Sequence, residues 1–204
     1  MKTPATAVLG GWDLARMAFW ICANGMAGLL ATPLMSRSSF VIAVPLFGLV
    51  LGAMQSAAVS RTWREALAWT ALTAMGLGIA MTIAIVPLFG AVSTRAGETW
   101  ITAGILSLPL GAGMSGAQAV VLALRNAPAR LLGIWVVGNA LAAAVVGALA
   151  FARLPDVPAA ADLARALSPE IYFGVVRAAL GMAFGILTIA PLVVVLIEAR
   201  AAQR

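Results

Sequence analysis

Long apolar runs separated by short polar punctuation dominate this chain. Six of them, over 14–35, 40–60, 66–90, 100–124, 130–152 and 171–197, reach the roughly 20 residues a helix needs to cross about 30 Å of hydrocarbon. They predict an all-α polytopic membrane protein with six transmembrane helices in a single domain. The polar connections Ser36 to Ser39, Arg61 to Glu65, Ala91 to Thr99 and Arg125 to Ala129 are short, so consecutive helices should pack as antiparallel hairpins. Only 153–170 forms a sizeable loop. Within it 158–167 has the pattern of a short interfacial helix, and Ser168-Pro169-Glu170 supplies a cap hydroxyl, a proline suited to the first helical position and a first-turn acid. Asp13 and Arg16 interrupt any signal-peptide pattern, and the first span is expected to be retained.

Charge orients these spans. With the N-terminus in the cytoplasm, eight basic and three acidic residues fall inside, against five basic and four acidic outside. This is the positive-inside bias expected of short loops, so both termini should be cytoplasmic in a bacterial inner membrane. The composition agrees: 63% apolar, 10% charged, 20 Gly among 204 residues, and a mean hydropathy of +1.04. The net charge of +6 is spread over helix ends without a basic, aromatic-lined patch, so no nucleic-acid partner is expected. The chain has no His and one Cys, Cys22, which removes His-ligated metal centres, Cys-ligated clusters and an intrachain disulfide, and no cofactor is expected.

Sliding the chain by 64 residues pairs Pro45 with Pro109, Gly52 with Gly116 and Arg61 with Arg125; a shift of 66 pairs Trp69 with Trp135 and Ala74 with Ala140. These matches predict two parallel helical-hairpin repeats, spans two and three followed by four and five, with a helix added at each end. The segments Gly52-Ala-Met-Gln55 running on to Arg61 and Trp69, and Gly116-Ala-Gln118 running on to Arg125 and Trp135, resemble a loose group of small bacterial multi-span proteins of unknown function. That resemblance covers spans two to five and implies no activity.

Candidate chemistry is sparse. Gly113-Met114-Ser115-Gly116 on the fourth span has the form of an intramembrane serine nucleophile, but the base that would take the serine proton is missing; Gly111, Gly113, Ser115 and Gly116 are instead expected to let another helix approach closely. Titratable groups sit near span ends, with Arg177 expected to snorkel to the outer interface. The neutral amides are more telling. Asn24, Gln55, Gln118 and Asn139, with Ser115, must find partners away from water, either as an interhelical hydrogen-bonded cluster or around a solute. Pro109, Gly111 and Gly113 mark a candidate helix break. Trp12, Trp63 and Trp69 toward the cytoplasmic face and Trp100 at the outer one suit an interfacial belt.

The expected function is non-catalytic: an accessory or packing subunit contacting membrane lipids and associating with itself or a larger assembly. The alternatives are a small permease or channel for a neutral or lipophilic solute and, last, an intramembrane enzyme, for which the spans lack a paired acid and base.

Overall fold

The computed structural model describes residues 11–37, 40–82, 99–151 and 166–201. They form seven helices: α1 Gly11–Arg37, α2 Phe40–Val59, α3 Trp63–Ala80, α4 Thr99–Leu124, α5 Ala129–Phe151, α6 Pro169–Leu187 and α7 Ile189–Ala201. Five of these, α1, α2, α4, α5 and α6, hold stretches long and apolar enough to cross a membrane, which marks the chain as a membrane protein. The third expected span, 66–90, is described only as far as residue 82. The expected interfacial helix at 158–167 lies almost wholly outside the described residues.

Local chemistry sets the helix ends. Thr62 has extended backbone and its hydroxyl accepts from the Glu65 N–H at 3.3 Å, while Glu65 Oε2 accepts from the Arg61 N–H at 2.7 Å, a near relative of the capping box that starts α3. After α4, Asn126 takes a left-handed conformation (φ 60°). The Ala127 N–H then reaches Leu122 O at 3.1 Å and the Asn126 N–H reaches Ala123 O at 2.9 Å, closing a Schellman turn before Pro128. α6 starts at Pro169 as its sequence predicts, although the Ser168 hydroxyl makes no cap bond.

The apolar run 171–197 is two helices, not one. Thr188 leaves helical geometry (φ −93°, ψ 4°) between α6 and α7. Pro191 lacks the N–H that would bond the Leu187 carbonyl one turn back, which accounts for an interruption at this point. Pro109, by contrast, lies within α4, which is continuous from Thr99 to Leu124.

The helices close into a ring. The most extensive packing joins α2 to α3, α4 to α5, and α6 back to α1; lighter contacts join α1 to α2, α3 to α4, and α5 to both α6 and α7. Ile42, Leu67, Ile105, Val137 and Ile171 are exposed on the outside, as lipid-facing positions are. Inside, one apolar cluster gathers Met17, Val59, Leu122, Leu131, Leu192 and Val195 around Trp20, Trp69 and Trp135, each fully buried. Trp69 is therefore a core residue rather than an interfacial anchor: its ring lies 5.7 Å from Trp135, and Trp135 lies 5.9 Å from Trp20, both edge to face. Trp63 does stand exposed, with the Arg64 guanidinium 5.5 Å from its ring centre. Trp100 lies in the first turn of α4, and the side chains of Trp12 and Trp100 fall outside what is described.

Candidate functional site: a buried amide network under an apolar cavity

The three central tryptophans head three similar helical turns. Asn24 donates to Trp20 O at 2.8 Å, Thr73 to Trp69 O at 2.7 Å, and Asn139 to Trp135 O at 2.7 Å, so each polar side chain is tied to the carbonyl four residues earlier. This fixes its rotamer, and the oxygens of Asn24 and Thr73 then accept from the neighbouring helices. Gln55 Nε2 donates to Asn24 Oδ1 at 3.0 Å; Gln118 Nε2 donates to Gln55 Oε1 at 3.0 Å and to Thr73 Oγ1 at 2.9 Å; Trp135 Nε1 donates to Gln118 Oε1 at 3.3 Å. The expected cluster thus forms directly among Asn24, Gln55 and Gln118. Ser115 stays apart, donating to Gly111 O at 2.6 Å, and Asn139 keeps Oδ1 without a partner.

Two members carry no sequence signal of their own. Trp20 Nε1 donates to Thr188 Oγ1 at 2.8 Å, and Thr188 in turn donates to Phe184 O at 2.9 Å. The spacing Trp20–Asn24, Trp69–Thr73 and Trp135–Asn139, repeated on three helices, was the available clue.

The same contacts recur in the three tight helix pairs. Seven residues before Gln55, Gln118 and Thr188 stand Gly48, Gly111 and Gly181. A Cβ on each would lie 2.7 Å from Ala74 Cα, 2.9 Å from Ala140 Cα and 3.1 Å from Gly25 Cα, every one of them five residues after a central tryptophan. Three residues before come Gly52, Ser115 and Gly185, set against Thr70, Val136 and Ile21, each one residue after a tryptophan. Gly113 meets Gly76 across the α3–α4 contact, whereas nothing lies within 4 Å of a Cβ on Gly116. Small residues are needed here because backbones meet at these crossings.

On one side of this network the ring encloses a cavity of about 330 Å³, partly open, within the range of small-molecule sites although near its lower end. Val44, Phe47, Leu51, Met114, Val146 and Phe184 supply much of its wall; Asn24, Ser107 and Arg177 are its polar lining residues. Gln55, Gln118, Asn139 and Ser115 lie outside the lining. Of the candidate break, Gly111 lines the cavity while Pro109 and Gly113 do not.

On the other side the tryptophans and the apolar cluster fill the ring, and a bidentate ion pair ties the helix ends together. Arg125 Nη2 lies 2.8 Å from Glu65 Oε2, Nε donates to Oε1 at 3.1 Å, and Nη1 donates to Val59 O at 3.0 Å. Partial burial raises the Glu65 carboxyl, but the Arg61 N–H and the Arg125 guanidinium outweigh it and hold the group below its ordinary value of 4.5. Among the described residues, no group of three or more His, Cys, Asp or Glu is placed to hold a metal. No family model, curated protein or solved structure matches this chain, so its geometry is the ground for a functional reading.

Proposed function

We propose that the chain is a bacterial inner-membrane protein with six crossings and cytoplasmic termini, and that it binds and passes a lipophilic solute through the cavity within its helix ring. The observation that carries this is the cavity itself, apolar in its walls, adjoining a hydrogen-bonded floor and backed by a dry tryptophan cluster. A cavity backed by a packed apolar cluster suits a carrier that exposes its site to one side at a time. The recurring contacts support three parallel hairpin units, α2–α3, α4–α5 and α6–α1, the third completed by the first and last parts of the chain. No residue in this reading performs catalysis.

An accessory or packing subunit is the second reading, motivated by abundant small residues. Gly28, Gly48, Gly52, Gly76, Gly111 and Gly181 are, however, already engaged against neighbours inside the ring, leaving Gly116 and Gly133 among the few open ones. Internal use of those faces favours the solute.

The test is binding of N-phenyl-1-naphthylamine, an apolar fluorophore, to the chain in phosphatidylcholine nanodiscs. Saturable binding above empty discs, abolished when the cavity is filled by Val146→Trp, is expected. Signal no greater than in empty discs would remove the proposal. Thiol labelling from each side of the cell, with cysteine placed at Asn126 or Ser168 in a Cys22→Ser background, checks the topology.

A further inference from the structure

Resting on the cavity reading above, we infer that the preferred ligand is a single-chain amphipathic anion, its aliphatic tail in the cavity and its carboxylate or phosphate head at Arg177. The positions eleven residues before Gln55, Gln118 and Thr188 are Val44, Ser107 and Arg177, and all three line the cavity. Two of the three pairs thus place an uncharged side chain where the third places a guanidinium.

Three observations decide the ligand's polarity. Arg177 is the one charged residue among those lining the cavity, is half-buried, and makes no ion pair or hydrogen bond among the described residues. It lies eight residues into α6, about 12 Å along the helix axis from Pro169 at ~1.5 Å per residue, and a guanidinium set in an otherwise apolar wall gains from an anionic counterpart. Among the described residues no acid lines the cavity to provide one. A ligand's own negative group would.

The network side of the cavity already has its polar groups engaged. Asn24 is the polar lining residue on that side, and its amide is held in the network, Nδ2 donating to Trp20 O and Oδ1 accepting from Gln55 Nε2. That floor suits a hydrocarbon terminus. The volume of about 330 Å³ suits one chain rather than the two of a bilayer phospholipid. Head and tail positions therefore follow from the one guanidinium in an otherwise apolar lining.

Equilibrium binding of radiolabelled dodecanoate to the full chain in phosphatidylcholine nanodiscs, against empty discs, tests this, with dodecanol and dodecyl phosphate as companion probes. Dodecanoate or dodecyl phosphate should bind about tenfold tighter than dodecanol, the scale of one charge-assisted hydrogen bond. Arg177→Gln should erase that preference, and Arg177→Lys should restore most of it. Equal affinity for dodecanol and dodecanoate, or an unchanged preference in Arg177→Gln, overturns the anion assignment while leaving an apolar-solute cavity standing. Displacement of dodecanoate by phosphatidylglycerol doped into the discs at equal amounts overturns the single-chain assignment. Failure of every probe to bind, with Val146→Trp no different from the parent, takes down the cavity reading as well.

Discussion

At the scale of single residues, two buried polar atoms are left unpaired where the three helix pairs differ. Gln55 and Gln118 each send an amide N–H to the polar side chain of the next pair, Asn24 and Thr73. Thr188 holds the matching position in the third pair, and its hydroxyl is spent on Trp20 and Phe184, so Asn139 Oδ1 receives nothing. Trp69 Nε1 is orphaned by the complementary event, because Gln55 Oε1, the counterpart of the oxygen that serves Trp135, accepts from Gln118 instead. An unpaired buried acceptor costs about 1–3 kcal/mol. Thr188→Gln, which offers an oxygen to Trp20 and an N–H to Asn139, should therefore raise the unfolding midpoint in detergent. Thr188→Val, which leaves Trp20 Nε1 without an acceptor, should lower it by a comparable free energy. Equal midpoints for the two variants would show that the hydroxyl is not part of a shared network.

At the scale of elements, the ends of α2, α3 and α4 are joined through one carboxylate. Glu65 accepts from the Arg61 N–H and both arms of Arg125, and Arg125 also holds the last carbonyl of α2 at Val59. Its carboxyl titrates lower when folded than the ordinary 4.5, so the folded state binds fewer protons and the pair stabilises above that pH, the contribution fading as pH falls through the folded value. Glu65→Gln should lower stability at pH 7 by up to about 1 kcal/mol, the scale of a partly exposed pair. The gap to the parent should close below pH 4.5; a gap constant from neutral pH downward would refute it. Five helices long enough to cross a membrane were legible from apolar length, and the amides announced themselves because a carboxamide in an apolar span has to be paired. Which face points inward was not legible. In water a helix shows its buried side by polar contrast, but Trp69 and the exposed Leu67 are both apolar and lipid accepts either. Thr188 was hidden for a related reason: a single hydroxyl within 171–197 can bond its own helix, so it signalled neither a break nor a partner for Trp20.

At the scale of the whole molecule, the ring closes through α6 and α1, far apart in sequence yet packed like the pairs that a short turn connects. Gly181 and Gly185 on α6 approach Gly25 and Ile21 on α1 (3.1 and 2.9 Å from an added Cβ) nearly as closely as Gly48 and Gly52 on α2 approach Ala74 and Thr70 on α3 (2.7 and 2.8 Å). Backbone contact of this kind holds helices together through dispersion and close fit, and in lipid it does not require a covalent connection, since each helix is already satisfied in its own hydrogen bonds. The segment 152–165 ahead of α6 should then be dispensable for assembly. Co-expression of two fragments, one ending after Phe151 and the other starting at Ala166, should yield a complex that co-purifies through a tag on either piece and binds the naphthylamine fluorophore as the intact chain does. Gly181→Leu in the second fragment puts a large side chain against the Asn24 carbonyl and should separate the pieces. Gly133→Leu in the first, where a Cβ meets nothing within 4 Å, should not. If both substitutions leave the fragments joined, the α6–α1 crossing is not what closes the ring, and the three-pair architecture fails with it.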